Sequence, residues 1–516
     1  MKLRLRAVCL ALAACLALGG CGGKAPAPAA TPTPAPTAAP ASAAGTLVLG
    51  YSPGDGFNPL VANSTLVRQN AGLLYEKLVE IGPDMSIVYR LASSIDVLDL
   101  QAVIHIRGGA TFADGTPLTA QDAAASLEAA RVSPLYAGQL AGVTKVEVSG
   151  EAVVVSLAAP DSLFAYLCDI PVVKAGETAA QRPTPSGRYT FGEGDTLVAN
   201  PRCAFAETGQ PEEIELVPVS SYDEMVSGLT VGSLNLYQAS ELADLPSGVA
   251  SEQSFYRTNN LIFLGVNGAA AQSGPLAPLL GTAAGRGLLS AALDRRQLAE
   301  KGYYSRAYPA TGAINSFYPC VLAQQSILPE AQLTSDEAAQ ALEALGYQRG
   351  SLDGMFYTAD GQALAVRLLV YGGSTYKRYT ATLLESQLEA LGVAVTVETA
   401  DDFAVFTEKV ASGDFDLYIG EVKLYNNMDM SPFFAEGGAS AGIVQSEALA
   451  AAYDAFRRNM SAAGAFEQAF AAELPFIPLL WRSGTVIHTR NVQGLTSSIS
   501  NVFYSLGQLE FAAQDS

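Results

Sequence analysis

The chain has 516 residues, with 30 Lys and Arg against 50 Asp and Glu, so its net charge is −20 with both His neutral. That balance excludes nucleic-acid binding, which needs basic surface to neutralise phosphates. The six cysteines include no CxxC pair and no metal-ligand spacing, so no disulfide framework or zinc site is legible. For Cys168, Cys203 and Cys320, one bridge and three free thiols both stay open.

The first residues read as a leader. Lys2, Arg4 and Arg6 precede an apolar stretch over 7–18, shorter than the ~20 residues a spanning helix needs. A secretory signal over residues 1–20 follows. Leu18-Gly19-Gly20-Cys21 resembles the lipobox of bacterial lipoproteins. The resemblance implies a diacylglyceryl group on Cys21, which anchors at ~0.8 kcal/mol per buried CH₂ without a spanning helix. Residues 21–45 are nearly all Ala, Pro, Thr and Gly, with Pro26, Pro28, Pro32, Pro34, Pro36 and Pro40. Such a segment builds no core and favours an extended tether, reaching up to about 70 Å at ~3.1 Å per residue.

The roughly 470 residues that follow exceed one ordinary core and predict two or three lobes. A short apolar strand over 47–51 comes first, then a loop at Gly54-Asp55-Gly56 and Asn58-Pro59, and a helix over 67–78. A strand over 102–107 alternates its faces. Thr119-Ala120-Gln121-Asp122 opens a helix in capping-box fashion, reaching about Arg131. Strands over 143–148 and 152–157 form a hairpin around Ser149-Gly150, and residues 171–185 read as a Pro-rich crossover. Further on, Thr334 and Glu337 cap a helix that Gly346 ends. A strand over 363–371, a helix over 375–391 closed by Gly392, a strand over 393–397, a helix over 402–412 and a strand over 416–420 then alternate. This β-α-β-α-β run predicts parallel strands with helical crossovers.

Several segments together carry a family resemblance. The strongest is Phe112-Ala113-Asp114-Gly115-Thr116-Pro117-Leu118-Thr119-Ala120-Gln121-Asp122, followed by Ser126. Phe57-Asn58-Pro59-Leu60, Leu74-Tyr75-Glu76-Lys77-Leu78 and Pro185-Ser186-Gly187-Arg188-Tyr189 add to it. Ala291-Ala292-Leu293-Asp294-Arg295, Gly413-Asp414-Phe415-Asp416-Leu417 and Pro475-Phe476-Ile477-Pro478-Leu479 complete the series. In order and spacing the chain resembles the family 5 extracellular solute-binding proteins, which include oligopeptide, dipeptide and nickel-complex binders. The resemblance implies an α/β, periplasmic-binding-protein-like fold of three lobes. Its first lobe would be discontinuous, over residues 46–78, 183–260 and 482–516. The second would cover 79–182 and the third 261–481, with ligand held between the first and third lobes by hinge closure.

The resemblance further implies a monomeric capture protein that works with an ABC permease complex, on the extracytoplasmic face of a cell membrane (cell surface or periplasm). It implies no catalysis and no cofactor. No GxSxG elbow, P-loop or HExxH stands in the chain, and the histidines, His105 and His488, read as structural. Asp114-Gly115 reads as a turn. Short peptides are the favoured ligand. The alternatives are a metal–chelator complex or other solute, or peptide sensing at the surface without transport.

In open α/β lobes, ligands lie beyond the carboxyl ends of parallel strands. One such end offers Tyr371 and Ser374 around two glycines, the alternative for Ser374 being a helix N-cap. The other runs from Glu421 through Tyr425 and Asn427 to Asp429. Peptide binders of the family carry an Asp, beside a Tyr and shortly before a Pro, that pairs with the peptide amine. Aligning on Tyr425 puts Leu424 at that position, and aligning on Pro432 nominates Asp429. Tyr51 and Asn58 are candidates on the facing wall. Trp481 could stack on ligand, but it follows an apolar run that favours a core or hinge position.

Overall fold

The computed structural model describes residues 46–512 apart from 63, 240–250, 323–327, 329–331 and 436. The leader, the tether and Cys21 lie outside the described residues.

Strand β1 (Leu47–Tyr51) leads into helix α1 (Thr65–Leu74), where the Ser64 hydroxyl accepts from Val67 N at 3.2 Å. The helix therefore starts and ends earlier than the expected 67–78. Its end is set by long-range bonds. Glu76 N donates to Ser186 Oγ at 3.1 Å and Leu78 N to the Ile170 carbonyl at 3.2 Å, which pulls residues 75–78 into extended backbone.

A separate four-stranded antiparallel sheet follows. It is built from β2 (Ala92–Leu98), β3 (Gln101–Ile106), β4 (Val143–Ser149) and β5 (Ala152–Leu157), in the order β2-β3-β5-β4. Helix α2 (Ala120–Ala130) packs on it, and Asp122 Oδ2 accepts from Thr119 N at 2.9 Å in the expected capping box. Asp114 closes the preceding turn. Its Oδ1 accepts from Thr116 N at 2.9 Å while Gly115 takes φ +86, a backbone that suits glycine.

Three two-stranded pairs stand apart, and the other strands join β1 in one large sheet. They are β6 (Tyr189–Phe191), β7 (Thr196–Ala199), β8 (Glu213–Pro218), β9 (Leu236–Ala239), β10 (Ser251–Val266) and β11 (Ala307–Pro309). After helix α3 (Ser335–Ala344) come β12 (Ala365–Tyr371), α4 (Thr375–Ala390), β13 (Ala394–Ala400), α5 (Phe403–Ser412) and β14 (Leu417–Lys423). Helix α6 (Glu447–Arg458) and strand β15 (Phe476–Thr489) complete it. Among the described residues the sheet has 11 strands, in the order β13-β12-β14-β10-β15-β9-β1-β8-β7-β6, with β11 beside β15. The run β12-α4-β13-α5-β14 has the expected parallel pairing, with Val366 opposite Val395 and Leu368 opposite Leu417.

Strands β10 and β15 give this sheet its function-relevant geometry. They run antiparallel for their whole length, from Ser251 opposite Thr489 to Gly265 opposite Phe476. At one end β15 pairs with β9, and so with β1 and β8. At the other, β10 pairs with β14. Two halves of the molecule thus share two continuous strands. The pairing breaks between Arg257 and Asn260, which leaves Thr258 and Asn259 out of register, a bulge that bends the ribbon there. One apolar core lies under the β1 half and the four-stranded sheet, and two others cover the faces of the β12–β14 half. Asn235 fastens the first half: its Oδ1 accepts from Val48 N at 2.6 Å and its Nδ2 donates to Thr489 Oγ1 at 3.3 Å.

Candidate functional site

The bulge forms the floor of a cleft of about 280 Å³ between the two halves, near the low end of the ~300–1,000 Å³ usual for small-ligand sites. Thr258, Asn259, Asn260, Arg482, Ser483 and Gly484 form that floor. Thr65 and Arg68 of α1 and Gln238 and Tyr256 form one wall, and Lys423 to Asn426 the other. Tyr136 and Gln139 reach in from the segment after α2.

Local sequence shapes these surfaces. Gly484 carries no side chain where the Tyr256 ring lies across β15, and Gln238 Nε2 donates to Tyr256 Oη at 2.7 Å. Asn259, freed by the bulge, donates to Tyr318 Oη at 2.7 Å and to Asn426 Oδ1 at 3.1 Å. Tyr318 Oη in turn donates to the Asn426 carbonyl at 2.8 Å. This buried polar network ties the floor to the loop after β14 and fixes its shape.

Charge is distributed unevenly. Arg68, Lys77, Lys423 and Arg482 line the cleft, with Asp169 as the one carboxylate among its lining residues. Asp169 is matched by Lys77, 2.6 Å away. Arg482 Nη1 lies 3.2 Å from Glu421 Oε1, and Glu421 Oε2 lies 3.1 Å from Lys377 Nζ. Lys423 is open to water but walled by protein. That desolvation, and then the charges of Arg68 and Arg482, pull its pKa below the ordinary lysine value.

Of the residues singled out from sequence, Tyr425 lines the cleft. Its hydroxyl sits against Gly138, where a Cβ would collide with it. Glu421 stands one layer back, shared by Arg482 and Lys377. Asn427 is buried and donates to Asp161 Oδ2 at 2.6 Å. Asp429 Oδ1 accepts from Tyr453 Oη at 2.7 Å and from Ser431 N at 3.0 Å, in the contact with α6 rather than in the cleft lining. Ser374 is the N-cap of α4, accepting from Lys377 N at 3.3 Å. Tyr371 packs edge-on against Phe403, with ring centroids 5.2 Å apart.

Tyr51 stacks on Phe57 and donates to Asp195 Oδ1 at 3.0 Å. Asn58 is fully buried, donating to the Thr178 and Ala180 carbonyls at 2.9 and 2.7 Å. Trp481 is 0 % exposed and belongs to the core behind the floor, so it presents no face to the cleft in this structure. Arg68, Lys423, Arg482 and Tyr256 escaped the sequence reading. The signal that could have found them is the cationic residue directly after Trp481 and the one ending the β14 strand.

Among the described residues no disulfide joins Cys168, Cys203 or Cys320. Burial pushes Cys203 and Cys320 up to about 12, which keeps them unreactive. His105 pairs with Asp96 at 3.0 Å on an exposed strand, and His488 is buried against the Thr489 carbonyl. Among the described residues no group of His, Cys, Asp and Glu could hold a metal ion, and no helix is long and apolar enough to cross a membrane.

Two α/β halves joined by continuous strands flank a polar cleft, the architecture of a solute-binding protein. The bacterial extracellular solute-binding proteins, family 5 (middle region), match residues 86–443. The chain belongs to that family. Among solved structures, a nickel ABC transporter protein from Bacillus halodurans superposes with a TM-score of 0.71 at 17 % identity, covering 90 % of this chain and 99 % of the other. The periplasmic murein tripeptide binding protein MppA, in its unliganded open form, gives 0.71 at 19 % identity, covering 91 % and 98 %. The oligopeptide-binding protein AppA from Bacillus subtilis, in complex with a nonapeptide, gives 0.52 at 17 % identity, covering 91 % and 99 %. At these identities the likeness is one of fold. No curated protein matches the chain at a significant level.

Proposed function

We propose that the chain is the solute-capturing component of an ABC importer, tethered through a lipid on Cys21 and delivering a short peptide or similar small solute to a membrane permease. The observation that carries this reading is the cleft over the β10–β15 bulge. A ligand touching both walls there makes contacts only when the halves approach, so it binds the closed arrangement better and shifts the population toward it. In this reading the first lobe comprises residues 46–78, 183–260 and 482–516, the second 79–182 and the third 261–481. The lipid anchor and the Pro-rich tether would keep the body near its permease while leaving it free to turn. The structures it resembles include both peptide-binding and nickel-binding proteins, and among the described residues no His or Cys lines the cleft, which favours peptide over free metal.

The test is a thermal-shift screen of the full chain in mild detergent against di- to octapeptides, oligosaccharides and a nickel–histidine complex. A ligand at 100 times its Kd stabilises by about 2.7 kcal/mol. A raised melting temperature with peptides supports the reading. A hit confined to the nickel complex or a sugar keeps capture and discards the peptide. Silence across all three classes contradicts capture itself.

A further inference from the structure

We infer that the cleft selects an anionic ligand, a small peptide bearing carboxylates, held between Arg68 of one half and Lys423 of the other with Arg482 at the floor. This deepens the capture reading and rests on it. Among the described residues the lining carries four cations and one carboxylate, an excess of three positive charges, in a chain whose net charge is −20. Each lining charge can be followed to its partner. Asp169 is consumed by Lys77. Arg482 shares Glu421 with Lys377, and the Asn260 amide oxygen, oriented to satisfy both groups, accepts from Arg482 Nη2 at 2.6 Å. Arg68 and Lys423 are both exposed in the cleft, and among the described residues neither makes a side-chain hydrogen bond or ion pair.

Like charges held together without a counter-charge repel, and the pKa of Lys423 is lowered first by desolvation and then by the charges of Arg68 and Arg482. An acidic protein gains nothing in stability from such a cluster, whereas a carboxylate entering the cleft relieves it. Because Arg68 belongs to α1 and Lys423 to the end of β14, one anionic ligand would contact both halves and draw them together. Among the described residues no uncommitted carboxylate lines the cleft to take up a ligand amine, so cationic peptides gain no compensating contact from them. The cationic lining focuses a positive field that attracts anions at short range.

The test is calorimetry on the full chain with Glu-Glu, Ala-Ala, Ala-Ala amide, Lys-Lys, and succinate as a carboxylate without a peptide bond. The expected order is Glu-Glu tightest and Lys-Lys weakest, each charge contact being worth about tenfold, with affinity falling as salt rises. Arg68→Gln and Lys423→Gln should each weaken Glu-Glu about tenfold and weaken Ala-Ala amide by less. Lys423→Glu should shift the preference toward Lys-Lys, which a merely unfolded variant could not do. Succinate matching Glu-Glu would show that the carboxylates alone are recognised, and would overturn the peptide part of the inference. Equal affinity for Glu-Glu and Ala-Ala amide, tighter Lys-Lys, or no binding by any carboxylate would overturn it whole. Binding of neutral peptides or the nickel–histidine complex in those cases would leave the capture reading standing.

Discussion

Asn427 donates to Asp161 across 2.6 Å, and this buried bond joins the loop after β14 to the segment after β5. Arg457 of α6 completes the contact, its Nη2 lying 3.1 Å from Asp161 Oδ1. The Asp161 carboxylate thus accepts from two partners that come from distant sequence. Removing it as Asp161→Ala would leave the buried Asn427 amide unmatched and the half-buried Arg457 with only the Asn427 carbonyl, 3.1 Å away, at a cost of about 1–3 kcal/mol. Denaturant unfolding of the variant should show that loss. A change below about 1 kcal/mol would mean that the contact is solvated in solution.

The single tryptophan is a built-in reporter. Trp481 is 0 % exposed, one residue before Arg482 on the cleft floor. Its emission should be blue-shifted and resist quenching by iodide in the folded chain, turning red on unfolding. Trp481→Ala should cost about 3–5 kcal/mol through lost burial and the cavity left behind. Ready iodide quenching of the folded protein would contradict this burial.

Glu467 gives the fold a pH signature. It is fully enclosed, its oxygens accepting from Ala313 N at 3.0 Å and Ile314 N at 2.5 Å. Burial outweighs those bonds and raises its pKa from 4.5 to about 7. Between these values the folded chain keeps a proton that the unfolded chain has released. Stability from this group is therefore full below about pH 4.5 and declines as pH rises toward 7, by on the order of 3 kcal/mol. Glu467→Gln should flatten that slope in urea titrations across the window. An unchanged slope would assign the pH dependence elsewhere.

Gly484 has no room for a Cβ, because the Tyr256 ring occupies that space. Gly484→Ala should displace Tyr256 from the wall, break its bond with Gln238 and cost about 1–3 kcal/mol. It should also weaken capture of any ligand bound between the walls. Wild-type melting temperature and affinity would show that the ring moves freely.

Much of this architecture is legible from local pattern. The capping boxes at Thr119–Asp122 and Thr334–Glu337 and the parallel run from β12 to β14 depend on residues close in sequence, and the structure has them. The end of α1 was not legible, because bonds from Ser186 and Ile170, about a hundred residues away, decide it. The cleft was least legible. Its floor arises from a register break between two strands that meet only in three dimensions, and its cations come from α1, the segment just after it, β14 and β15, with no spacing to mark them. Asn58 and Asn427 have the polarity of ligand contacts but serve as buried ties between segments, a distinction that only burial and partners reveal.

The most direct measurement is hydrogen exchange on the full chain, with and without a pooled set of di- and tripeptides at millimolar concentration. Capture in the hinge cleft requires protection to appear together around 65–68, 256–260, 423–426 and 482–484, on both walls and the floor. Protection confined to one wall, or appearing only at a remote surface, would contradict capture between the halves.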